Sequence, residues 1–210
     1  MLIMLQEYFC WHNRRVFDRF LGGMQMNTGK YQITDKNELS EKVFPYLAKR
    51  GLENVTIREL CRGTGIVQGS LYYWFDDKTT IVCESTEWGL KNVTNQIFEY
   101  AFASINDLRS FFSNCLDEVS KYKNELRFVY QLAASPVYGE KIRATEKEFN
   151  LIYDKYTRRL SALLNCKEQN LKPLVYLFIS AVLDYVIWDE KEKSQMQLEL
   201  IYSVLPKIMR

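Results

Sequence analysis

Histidine is almost missing from this 210-residue chain, and His12 is its only example. Serine–histidine triads and histidine-built metal centres are therefore excluded from everything beyond the first dozen residues. No P-loop or dinucleotide glycine pattern occurs, so the usual phosphate cradles of nucleotide enzymes are missing too. The five cysteines (Cys10, Cys61, Cys83, Cys115 and Cys166) are scattered and contain no C-x-x-C pair. That usage fits a reducing cytoplasm and excludes a disulfide scaffold or a zinc site. Cys61 and Cys115 fall on apolar stripes, so they read as packing residues rather than redox switches. No apolar run reaches the roughly 18 residues of a membrane span; the longest, 173–187, is interrupted by Ser180 and Asp184. Strand alternation, internal repeats and low-complexity segments are also lacking. No cofactor, metal or catalytic residue is expected, and an enzyme is the weaker reading.

What is present is a globular composition, 47% hydrophobic and 26% charged, with a net charge of only +2. From Asp35 onward every segment has a helical period. Helices are predicted over 36–50, 56–64, 67–74, 78–102, 106–122, 125–134, 139–164, 171–188 and 193–209. Pro45 lies inside the first and should kink it or delay its start. The densest stretch is TIRELCRGTGIVQGSLYYWFDDK, residues 56–78. Thr56 and Glu59 form a capping box, and Ile57, Leu60 and Cys61 make one apolar stripe. Gly65 allows a left-handed exit, and a second short helix follows with Leu71 and Phe75 as inward anchors. Two short helices joined by a glycine-containing turn make a helix-turn-helix, whose second helix enters the DNA major groove.

Gly51, Thr56, Leu60, Gly65, Gly69, Ser70, Leu71, Tyr72, Phe75, Lys78 and Ile81 stand at fixed spacing, and the run resembles the DNA-binding domain of TetR-type transcriptional regulators. The resemblance covers about residues 33–93. Cys61 and Thr64 replace the family's usual alanines, Val67 its usual Ser/Thr cap, and Trp74 a common histidine. It implies an all-α fold: an N-terminal three-helix domain (33–93, motif 56–75), then a helical regulatory and dimerisation domain (94–210). It further implies a homodimer through the helices at 171–188 and 193–209, and a small-molecule effector inside the second domain. The helix at 171–188, apolar nearly all round, and the stripe Leu198, Ile201, Tyr202, Leu205 and Ile208 suit such an interface.

On a DNA-binding reading, Gln68 is the one side chain of the second helix able to pair bidentately with a base, adenine by preference, against a bland role as a solvated residue. Gly69 allows close backbone approach, and Ser70 reaches a base or a phosphate. Tyr73 is read as a phosphate contact and Tyr72 as either a phosphate contact or core. Thr56 caps its helix and, with the helix dipole, favours a phosphate. Arg58 reaches phosphate or base, and Lys78 resembles the family's phosphate-clamping lysine. Arg62 reads as a solvated face. Seven Lys/Arg and seven Asp/Glu lie between Tyr31 and Cys83, so affinity for DNA must come from placement rather than net charge. That neutrality is the support for an alternative: a dimeric protein of the same fold that binds a small molecule but not specific DNA.

For the effector, the aromatic residues Trp88, Phe102, Phe112, Tyr130 and Tyr153 are the expected cavity lining, each with ordinary core as the bland alternative. Residues 1–30 read as a leader. Leu21-Gly22-Gly23 ahead of Met24 and Met26 suggests a ribosome-binding sequence read as protein, with the true start at Met26.

Overall fold

The computed structural model describes residues 35–208 except 54 and 104–106. The leader, the proposed start at Met26, and His12 lie outside the described residues. Ten α-helices and no strand occur among the described residues: α1 Lys36–Arg50, α2 Ile57–Thr64, α3 Gln68–Trp74, α4 Lys78–Ala103, α5 Leu108–Val119, α6 Lys123–Ala134, α7 Gly139–Ala144, α8 Glu146–Leu164, α9 Glu168–Trp188 and α10 Lys191–Ile208. A 3-10 turn, Ser120–Tyr122, joins α5 to α6. The fold is all-α.

Short-range chemistry sets the ends of the first four helices. The Asp35 carboxylate accepts from the Glu38 amide at 2.8 Å and starts α1. Gly51, at φ +74°, closes it, with its amide donating to the Leu47 carbonyl. α1 runs through Pro45 without the break or late start that proline suggests. Pro45 and Glu41 both face solvent, so the carbonyl of Glu41, left without its amide partner, is open to water. Pro173 passes through α9 in the same way, above an exposed Gln169, and α9 begins at Glu168 instead of residue 171.

The long helix predicted over 139–164 is two. Thr145 sits at φ −80°, ψ −2°, and its amide and hydroxyl both turn back to the Ile142 carbonyl, at 3.1 and 2.6 Å. That tight turn separates α7 from α8, so Ile142 and Phe149 can both be buried.

α4 is the central member. α1 packs on its N-terminal half, so closely that a Cβ on Gly89 would lie 2.0 Å from the Phe44 ring. α5, α6 and α8 pack along the rest of α4. There Phe98 stacks on Tyr156 (centroids 4.4 Å apart) and Phe102 packs on Phe111 (4.8 Å). The apolar stripe of α5 is buried: Phe111, Phe112, Cys115, Leu116 and Val119. α9 and α10 form an antiparallel pair, joined by the Ser194 hydroxyl donating to the Ala181 carbonyl at 2.8 Å. Burial raises the thiol pKa of Cys61, Cys83, Cys115 and Cys166, which disfavours the reactive thiolate.

Candidate nucleic-acid interface and interior cavity

The capping box of α2 is complete. The Glu59 amide donates to the Thr56 hydroxyl at 3.2 Å, and the Thr56 amide donates to the Glu59 carboxylate at 3.2 Å. The Thr56 hydroxyl, with the Thr56 amide, holds the Glu59 carboxyl below its ordinary range. Leu60 is the buried anchor of α2. Gly65, at φ +73°, turns the chain, and the Thr64 hydroxyl bridges the corner, donating to Leu60 and accepting from Ile66. α3 starts at Gln68 with Val67 as an N-cap that offers no side-chain bond, and ends where the Phe75 amide meets the Leu71 carbonyl. The Ser70 amide of its first turn donates to the Val67 carbonyl at 3.0 Å instead of to a capping side chain. Asp77 starts α4: its carboxylate accepts from the Thr80 amide at 2.6 Å, which lowers its pKa.

These caps leave one face of α3 to solvent. Leu71 is its buried residue, and Phe75 follows it into the core. Gln68 and Gly69 are exposed and Ser70 is half-buried. Tyr72 and Tyr73 are 43% and 57% exposed, so Tyr72 is not core. An added Cβ on Gly69 would meet nothing within 4 Å, so the fold itself does not require glycine there. Thr56 and Arg58 lie exposed at the start of α2, and Lys78 is half-buried at the start of α4. Arg58 and Lys78 make no ion pair among the described residues. Several carboxylates of this region are engaged elsewhere: Asp35, Glu59 and Asp77 in caps, and Glu38 against Lys42 at 3.6 Å. Capping leaves those carboxylates ionised, so the neutral sequence balance persists and the placement of Arg58 and Lys78 matters more than the sum.

The family model for bacterial regulatory proteins of the tetR family matches residues 46–84, from within α1 to the first turns of α4. The chain carries a TetR-family helix-turn-helix domain. Solved structures share the architecture well beyond that domain. A protein from Rhodococcus sp. RHA1 described as a transcriptional regulator superposes with a TM-score of 0.61 at 12% identity, over 81% of this chain and 94% of that one. A TetR-family transcriptional regulator from Streptomyces coelicolor superposes with a TM-score of 0.53 at 14% identity, over 82% of this chain and 94% of that one. At such identities the likeness is one of fold. No curated protein matches the chain by sequence.

Behind the TetR-type domain, α4, α5, α6, α8 and α9 line a partly open cavity of about 90 Å³. Leu90, Thr94, Ile97 and Phe98 of α4 form one wall, and Tyr130, Tyr153, Phe178 and Ile179 lie among those opposite. Of the five aromatics expected to line a cavity, Tyr130 and Tyr153 do so. The other three lie outside it. Phe102 is packed between Phe111 and Tyr156, and Phe112 between Phe111 and Phe178. Trp88 borders an outer groove with Lys36, Glu84, Glu87, Lys91 and Lys141, which is crossed by the ion pairs Lys36–Glu84 and Lys91–Glu87. Helical spacing identifies all five as inward-pointing or half-buried, but it does not say which neighbours leave a gap. The cavity residues Thr94 and Ile179 carry no aromatic signal and were beyond sequence reasoning.

Proposed function

We propose that the chain is a cytoplasmic, sequence-specific DNA-binding transcriptional regulator, a ligand-responsive repressor that binds a palindromic operator as a homodimer. The observation that carries this reading is the solvent face of α3: Gln68, Gly69, Tyr72 and Tyr73 are presented outward by a helix whose only buried residue is Leu71. Gln68 reads a base edge, Gly69 lets the backbone approach, and Ser70 touches a base or a phosphate. Thr56, Arg58, Tyr72, Tyr73 and Lys78 surround it as phosphate contacts. The partner face is α9 with α10, where Leu177, Trp188, Met196 and Leu200 are 52%, 65%, 74% and 64% exposed. α9 has the length and apolarity of a membrane span. Its buried face packs into the bundle, however, and Lys172 and Asp184 pair with Asp154 and Lys193. A second copy accounts for the remaining face.

In the dimer two copies of α3 lie one DNA turn apart, about 34–36 Å. α4 links the reading unit to the cavity: it begins at Lys78 beside α3 and supplies a cavity wall about three to six turns further on. A ligand that prefers one arrangement of α4 shifts the spacing of the two α3 helices and releases DNA. The test is binding of the protein to the DNA upstream of its own gene against random DNA, across a salt series. Specific, salt-sensitive binding at a palindrome is the expected result. Equal affinity for both DNAs at every salt overturns the reading and leaves a dimer of this fold without an operator.

A further inference from the structure

The interior cavity differs from the outer grooves in that no charged side chain lines it. Its hydroxyls come from Thr94, Tyr130 and Tyr153, and none of the three has a hydrogen-bond partner among the described residues. The remaining surface is aliphatic or phenyl, with Phe98 and Phe178 at opposite sides. Burial pushes the Tyr153 phenol up to about 12 and, with Tyr153 nearby, raises that of Tyr130 as well. Both therefore stay protonated, each able to donate one bond and accept another. An ionised ligand would enter without a countercharge, at a large desolvation cost. A wholly apolar ligand would leave the hydroxyls unpaired, which is also unfavourable. Size adds a limit. A cavity of about 150 Å³ accepts benzene, so 90 Å³ suits roughly four or five non-hydrogen atoms.

We propose that this cavity takes a small neutral ligand of the short-chain ketone or alcohol class, its apolar body against Phe98 and Phe178 and its single oxygen held by the Tyr130 and Tyr153 hydroxyls. The proposal deepens the ligand-responsive reading above and rests on it for its biological meaning, but binding and DNA release are measured separately. The probe is 2-butanone, titrated into the full-length dimer by calorimetry and ligand-observed NMR, with butyrate as the charged counterpart of similar length. The expected result is saturable binding of one butanone per chain and none of butyrate at the same concentration. Tyr130→Phe and Tyr153→Phe should each weaken butanone binding by roughly 3–10-fold, the value of one hydrogen bond. Ile179→Phe should abolish it by filling the space, and circular dichroism with thermal unfolding establishes that each variant is folded. Butyrate binding as well as butanone, no butanone binding, or folded Tyr→Phe variants that bind butanone unchanged would each overturn the proposal. Binding that leaves operator affinity untouched would sustain it and instead overturn the ligand-responsive reading.

Discussion

α3 and α9 expose large side chains of opposite kinds. α3 is seven residues long and presents two tyrosines whose rims are hydroxyls, beside a glutamine and a glycine. α9 is three times as long and exposes Leu177, Ile187 and Trp188 beside a single tyrosine, Tyr176. Hydroxyl-tipped aromatics keep a polar handle for a wet, charged partner such as a phosphate backbone. Aliphatic and indole surface gains only by being covered, which is the chemistry of a protein–protein core. The two helices thus suit the two different partners proposed for them.

The comparison breaks most visibly at the proposed dimer face of α9 and α10. Leu177→Asp combined with Leu200→Asp should turn a dimer into a monomer in sedimentation and lower operator affinity on the order of 100-fold, because the second half-site loses its tethered partner. A dimer that survives this change would remove the assignment of α9 and α10.

Next in size is the packing of α1 on α4, the helix that runs from α3 toward the cavity. Gly89→Ala forces a methyl against the buried Phe44 ring, and the overpacking should cost about 1–3 kcal/mol in denaturant unfolding. Unchanged stability would mean that α1 slides freely on α4.

On α3 itself, Gln68→Ala should cost about 1–3 kcal/mol on operator DNA and relax preference at one base pair per half-site. Equal losses on operator and random DNA would refute its role as a reader. Gly69→Ala sharpens the contrast further, because space for the methyl is open in the free protein. It should leave folding unharmed or raise stability by roughly 0.5 kcal/mol, while DNA affinity falls. A variant that binds DNA as tightly as the parent would show that no partner approaches that backbone.

The smallest effect concerns pH. Glu59, Asp77 and Asp107 all have lowered carboxyl pKa values, each through hydrogen bonds at a helix start. A group lowered on folding stabilises the native state above its unfolded pKa, near 4, and that gain is lost as pH falls through the folded value. Denaturant midpoints should be flat from pH 7 to 5 and decline below about 4. Asp77→Asn, which still caps but does not titrate, should make the decline shallower.

The reading unit was legible because its determinants are near neighbours. Thr56 finds Glu59 three residues on, Gly65 sets its own φ, and Asp77 finds Thr80. Such contacts form whatever the rest of the chain does. The break at Thr145 was not legible, since the periodicity continues through it and only the packing of Ile142 and Phe149 favours a turn there. The late start suggested by Pro45 failed for a related reason: its cost depends on whether the orphaned carbonyl faces water, which is a property of the assembled bundle.

The sequence by itself determined that the chain is helical, where the first three helices end, and the fixed spacing of the TetR-type motif. Local hydrogen bonds and a 3.6-residue period suffice for all three. Only the tertiary structure decided that Tyr130 and Tyr153 border a cavity while Phe102 and Phe112 fill core, and that Arg58 and Lys78 make no ion pair among the described residues. Those outcomes depend on how side chains from five helices share one interior, and no periodicity records a gap between them.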